Sequence, residues 1–593
     1  VIAVQRDAVM AVAAWVLASG ALGCSSSGGA APDSQDASID ALSTDGAPDA
    51  SVRDGAYGDG DGGASTSDAA DDAGPPSLVA LGVSAQSQGD SSLPVTLIPA
   101  FSPGTHDYYV RCAAGANALT VSLKASPGAS SLLVQPTASP SLPEQTLSVS
   151  VNEDQAVVAA ATDGTATAEY WVRCLPHDFP LLQWTPHPDA GTPPRGYYLI
   201  GTGVFTGPGG VPATPTSGCF AMMLDANGVP VWYARAPWAN GYCVFDVDDV
   251  VPGAVSFDSI ADNPAEFEVR ALSPTATTTV APRTDAGALN VDLHELRLLP
   301  NGNYLVISSP PQPGVDLTGM RVPLTDGGIE TLNGPQTILA CDLLEVEPNG
   351  TVVWTWSATD HFDAVADSVV PTLTAAGPFG NDLVDPFHCN SVDVEPVTGN
   401  LLVSAREMNS VFCVERASGR VLWKMGGAVA SKDGATYVSV ADPFALQHDA
   451  RFQPDWSPTC SGGSGTITLF DDETYASRPA RAVAYDVVVG GADGGSAATN
   501  GCGDAGTAGT ASMEWQHAGP TSSFAMGSFR IGADGSRVIG WGLMPGGGFA
   551  EVDSHGSDLL DFAFADGNAT YRAIKVPTSA FDLGVLRSTA GLP

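Results

Sequence analysis

The feature that most constrains this chain is a pair of hairpins that keeps returning. An apolar strand, a turn rich in Pro, Asn or Gly and a second apolar strand appear in "LRLLPNGNYLVISS" (296–309), "VDVEPVTGNLLVSAR" (392–406) and "FRIGADGSRVIGWG" (529–542). After each comes a second hairpin with Trp or another apolar residue in its return strand: "LLEVEPNGTVVWTWS" (343–357), "VFCVERASGRVLWKMGG" (411–427) and "FAEVDSHGSDLLDFAF" (549–564). Two hairpins make a four-stranded antiparallel sheet, and a chain that repeats such a sheet closes most simply into a β-propeller. The pattern predicts six units, near 195–238, 242–283, 290–358, 386–428, 446–518 and 524–577, with the second the most irregular. Long insertions such as 309–338, 359–385 and 487–510 are expected between strands, where loops tolerate growth.

The expected fold class is therefore all-β: a six-bladed β-propeller over 180–593, preceded by a small β-sandwich and a disordered linker. Short alternating strands over 77–176, among them "HDYYVRC", "ALTVSLKA" and "AEYWVRC", carry the sandwich. This segment resembles the cadherin-like modules of bacterial surface proteins in its F-x-P-x-x-x-x-Y pattern from Phe101 to Tyr108. It contains no convergent polar cluster, so it reads as a spacer or accessory module. Residues 25–76 are dominated by Ser, Asp, Ala and Gly and bury almost nothing, which predicts a solvated linker.

At the N-terminus, Arg6 precedes the apolar run "AVMAVAAWVLASGALG", which leads to Cys24 and "SSSGG". This resembles a lipoprotein signal with Cys24 as the lipidated residue. It predicts export to the periplasm, outer membrane or cell surface with a lipid tether; a cleaved secretory signal is the alternative. The nine cysteines after Cys24 should then pair in part. Proximity suggests Cys112–Cys174, Cys219–Cys243 and Cys460–Cys502, and either Cys389–Cys413 or Cys341–Cys389. The formal net charge of -41, from 65 acidic and 24 basic residues, repels phosphate backbones and argues against a nucleic-acid partner. Oligomeric state is not legible.

Function is concentrated in the histidines. With the inner hairpins aligned on the residue before the turn (Pro300, Pro396, Pro454 and Ala533), the residues six positions upstream are His294, Asn390, His448 and Gly527. His388 stands two residues before Asn390, which in an extended strand gives both side chains one face. Arg406 ends the return strand of the same hairpin. Inner strands of a propeller line its channel, so these groups are expected to converge at one mouth. A lone histidine at a strand start is usually structural. His106, His177, His187, His517 and His555 lack this registration and are read that way, and His361 is a candidate cap over the pocket.

The stretches "DLHELRLLPNGNYLV", "DPFHCNSVDVEPVTGNLLVSAREMNSVFCVERASGRVLWKMGG", "QHDARFQPD" with "GTITLFDDE", and "FAMGSFRIGADGSRVIGWG" resemble the bacterial arylsulfate sulfotransferases over about 195–577. The resemblance implies transfer of a sulfuryl group from a phenolic sulfate ester to a phenol, without nucleotide-activated sulfate, through a transiently sulfated histidine. Carried over, His448 is the nucleophile, His294 and His388 move protons or hold the sulfate, and Asn390 and Arg406 bind it. No cofactor and no metal are implied, and the partners are a small aryl sulfate donor and a phenolic acceptor. Two other classes compete: a metal-dependent hydrolase or oxidase using the channel histidines, and a non-catalytic, surface-tethered propeller that binds ligands.

Overall fold

A computed structural model describes residues 75–85, 95–205, 217–237, 243–259, 267–273, 278–281, 290–323, 328–374, 383–429, 432–474, 478–490 and 508–591. The signal segment with Cys24, the linker and Cys502 lie outside the described residues. The protein is all-β, and its described helices are short, the longer being Leu583–Thr589. No described helix is long and apolar enough to cross a membrane.

The N-terminal part is two facing sheets. One contains Leu78–Ala85, Ala116–Ala125 and Glu144–Asn152; the other contains Asp107–Arg111, Thr167–Leu175, Ala156–Thr162 and Ser130–Gln135. Alternating residues such as Leu119, Val121 and Leu123 face Tyr108, Val157 and Val172 in one buried core. The echoing "YYVRC" and "EYWVRC" segments are parallel neighbours, with Val110 opposite Cys174, and Cys112 bonds Cys174.

This sandwich is fastened to the remainder rather than strung before it. The fully buried Arg173 bridges Asp107 at 3.1 Å and the Val231 carbonyl at 2.8 Å. Arg587 of the C-terminal helix reaches back to Asp107 at 2.7 Å, and Tyr233 donates to Asp154. Sequence patterning gave no sign of these contacts, because they join residues far apart in sequence.

Beyond the sandwich, four-stranded antiparallel runs follow one another and give a propeller-like arrangement. Their inner strands are Ala573–Val576, Val244–Val251, Val291–Leu298, Cys389–Val394, His448–Phe452 and Ser528–Ile531. Each inner strand contacts the next in that order, and the last contacts the first. The first run is completed by the C-terminal strand Ala573–Val576, paired with Tyr197–Gly201. Its residues were expected in the last unit, because a hairpin pattern carries no sign of such long-range closure. The runs beginning at Cys389 and His448 are joined into one ten-stranded sheet through Thr436–Val440.

Two of the expected loop insertions are ordered against each other. Pro311–Asp316 and Pro335–Leu339 pair with Leu383–Asp385 and Thr372–Thr374 in an accessory sheet. Its strand Leu383–Asp385 delivers Asp385 to the site described below.

The third disulfide is Cys341–Cys389, and Cys413 is free and buried. Of the two pairings expected for Cys389, the one with Cys413 is thus corrected. Cys389 packs in the core that contains Cys341, whereas Cys413 packs beside Trp423 and Leu402 in a different core cluster. Cys219 pairs with Cys243 as expected, and Cys460 is disulfide-bonded.

Candidate active site

Three of the inner strands bring His294, His388 and His448 together. One ring nitrogen of each lies within 4.8 Å of the other two. The ring centroids of His294 and His388 are 5.2 Å apart, and those of His294 and His448 are 6.2 Å apart.

Each imidazole is oriented through Nδ1 by its own carboxylate. His448 meets Asp472 at 2.7 Å, His388 meets Asp385 at 2.8 Å, and His294 is in close contact with Asp292. With Nδ1 engaged, Nε2 is the nitrogen left for chemistry. The register of inner hairpins found the imidazoles but not these carboxylates. Asp292 stands two residues before its histidine, Asp385 three before, and Asp472 on the neighbouring strand 24 residues later. Only the "FDDE" after an apolar strand signalled Asp472.

The backbone around His388 departs from the expected alternation. His388 has φ 48° and lies just before the strand Cys389–Val394, so it does not share a strand face with Asn390. Its N–H donates to Asp385 Oδ1 at 2.9 Å, and its carbonyl accepts the Arg406 N–H at 2.9 Å. Asn390 instead donates from Nδ2 to the Gln447 carbonyl at 2.7 Å, which ties its strand to the residue before His448.

Arg406 is buried, donating to Glu407 Oε1 at 2.8 Å and to the Phe524 carbonyl at 3.0 Å. Its positive charge acts on His448, His388 and Asp472.

The fourth register position, Gly527, has φ 108°, and a Cβ there would collide with the Phe470 ring. This inner strand therefore supplies backbone rather than a side chain: the Met526 N–H donates to His448 Nε2 at 3.3 Å. An amide can only donate, so Nε2 carries the lone pair and Nδ1 the proton.

The electrostatics differ between the imidazoles. Burial pushes His448 well below the ordinary histidine value, and Arg406, His294 and His388 add to that, so the ring is neutral near pH 7. Burial likewise pushes the Asp472 carboxyl well above the usual range. For His388, burial acts downward, but the charge and hydrogen bond of Asp385 together with the Glu407 charge outweigh it, and the net direction is up. Burial opposes ionisation of Asp292 as well, yet His294 holds it at about 2.

Beneath the imidazoles lies a buried ion network that sequence patterning did not reveal. Arg572 contacts Asp246 and bridges Glu295 at 2.9 Å. Arg451 joins Glu295 at 2.6 Å to Asp449 at 2.8 Å, and Arg530 holds Asp449 at 2.8 Å. Glu295 and Asp449 directly follow His294 and His448, so the network fixes the backbone on which two of the imidazoles are mounted. His361, the expected cap, is bonded to Asp433 at 2.7 Å and stacked on Trp356.

Among the described residues, the three imidazoles are also the one group spaced to hold a metal ion. The nearby Arg406 charge and the amide hydrogen directed at His448 Nε2 both disfavour a cation there.

Fold and site together define a propeller-like all-β protein with three carboxylate-oriented imidazoles and a buried arginine at its axis. The arylsulfotransferase (ASST) family model matches residues 273–564. The match begins at the edge of the second run, whereas the resemblance read from sequence started near 195. No curated protein matches the chain. Among solved structures, a protein of unknown function from Bacteroides caccae aligns at 11% identity and TM-score 0.33, covering 65% of this chain and 99% of that one. Apo AztD from Citrobacter koseri aligns at 8% identity and TM-score 0.27, covering 64% and 99%. At these TM-scores neither likeness carries an argument.

Proposed function

We propose that this protein is a nucleotide-independent aryl sulfotransferase, with His448 as its transiently sulfated nucleophile, built on a six-bladed propeller. The observation that carries this reading is the tautomer of His448: a buried, neutral ring with its lone pair on Nε2 and its Nδ1–H held by Asp472. In the first half-reaction Nε2 displaces the Met526 amide contact and attacks sulfur. An N–S bond forms as the S–O bond to the aryl group breaks, and the electron pair leaves with the phenolate.

His388, raised toward its protonated form, gives the phenolate its proton. In the second half-reaction it takes the proton of the acceptor phenol, whose oxygen attacks sulfur and frees His448. The Arg406 guanidinium and the remaining ring N–H groups stabilise the sulfuryl oxygens. Asn390 sets the Gln447–His448 segment rather than gripping the substrate directly.

The donor is a phenolic sulfate ester and the acceptor a second phenol. Lipidation at Cys24 and an extracytoplasmic location complete the proposal, and the disulfides are consistent with export. The experiment is turnover of 4-nitrophenyl sulfate with and without added phenol, with metal content measured on the same sample. Acceptor-dependent release of 4-nitrophenol by metal-free protein supports the reading. Activity that follows bound metal and is abolished by chelation would favour the metal-dependent reading, which the imidazole spacing supports.

A further inference from the structure

Cys389 follows His388 directly and is the first residue of its strand. Its disulfide partner, Cys341, immediately precedes the strand Asp342–Val346, in the run whose inner strand carries His294. The two Cα atoms are 5.7 Å apart, and both cysteines are almost wholly buried. The bond thus joins the His294 run covalently to the residue after His388, where the two rings stand 5.2 Å apart.

His388 needs such a restraint. Its φ of 48° lies in the left-handed region, which costs a residue with a side chain energy that its surroundings must offset. Asp385 orients its ring and N–H, and Asp385 itself sits in the accessory sheet built on Pro335–Leu339, two residues before Cys341. The disulfide and the accessory sheet therefore reach His388 from one segment, 335–341.

We propose that the Cys341–Cys389 disulfide is a positioning element that holds His388 in register with His294 and His448 for transfer. This rests on the proposed sulfotransferase reading for its kinetic consequence, but not for its structural one.

The test compares Cys341→Ala with Cys389→Ala as a pair against a control pair, Cys112→Ala with Cys174→Ala, whose disulfide lies in the core of the N-terminal sandwich. The expected result is a kcat about tenfold or more below wild type for the first pair, since small misplacement of a catalytic group is costly. Its KM should be nearly unchanged, and the control should keep its kcat. In histidine-labelled protein the His388 ring resonance, assigned with His388→Gln, should move in the first pair only. If the first pair does not fold, the isosteric pair Cys341→Ser with Cys389→Ser gives the same two readouts. An unmoved His388 resonance with unchanged kcat, or an equal kcat loss in both pairs, would overturn the inference. If wild type shows no transfer at all, the sulfotransferase reading fails and the His388 resonance alone decides this one.

Discussion

His448 and Asp472 meet at 2.7 Å in complete burial, and the Met526 amide faces the other ring nitrogen at 3.3 Å. The pair fixes both the orientation and the tautomer of the ring, so the Nε2 lone pair is present before any substrate binds. In the proposed transfer, the positive charge that develops on the ring during attack is met by the Asp472 carboxyl group.

Replacing that carboxyl is the first prediction. Asp472→Asn should keep the fold and lower kcat by on the order of 100-fold or more, as when other imidazole-orienting carboxylates are lost. KM for the donor should change far less. Steady-state kinetics with thermal melting check this; a variant with near-normal kcat would remove Asp472 from any orienting role.

The pH profile follows from the two opposed shifts. The proposed transfer needs His448 neutral, so activity should fall only when acid protonates it, well below pH 6.5. It needs His388 protonated to release the phenol, so the alkaline loss comes above pH 6.5. The kcat/KM profile should be a plateau that includes pH 6.5, and His388→Gln should lose its alkaline limb. A single ionisation centred near 6.5 would contradict this assignment.

Arg406→Ala should lower kcat by roughly two to three orders of magnitude, as for other oxyanion donors. Arg406→Lys should recover only part, because an ammonium group cannot hold both the Glu407 and Phe524 contacts in the planar guanidinium geometry.

Gly527→Ala tests the backbone side of the site. The added methyl meets the Phe470 ring at a φ of 108°, so the variant should lose about 2 kcal/mol or more of stability. A denaturant titration measures it, and an unchanged midpoint would show that the turn adapts freely.

What was legible in the sequence divides along physical lines. Hairpin periodicity is local, so it located the strands, the imidazole register and the return position of Arg406. Ring closure by Ala573–Val576 and the Arg572–Glu295–Arg451 network depend on residues hundreds of positions apart, which no local pattern encodes. Strand alternation misjudged His388 because the chain turns left-handed there, outside the strand. It therefore gave Asn390 a face it does not share.

The central claim is a covalent sulfohistidine at position 448, and the most direct measurement is mass analysis after donor is added without acceptor. Under rapid, acid-free trapping, the peptide containing His448 should gain the mass of one sulfuryl group. The adduct should be acid-labile, disappear when phenol is added, and be absent from His448→Ala, which should also lack turnover while remaining folded. An unmodified His448 peptide under these conditions, or near-normal transfer by His448→Ala, would contradict the account.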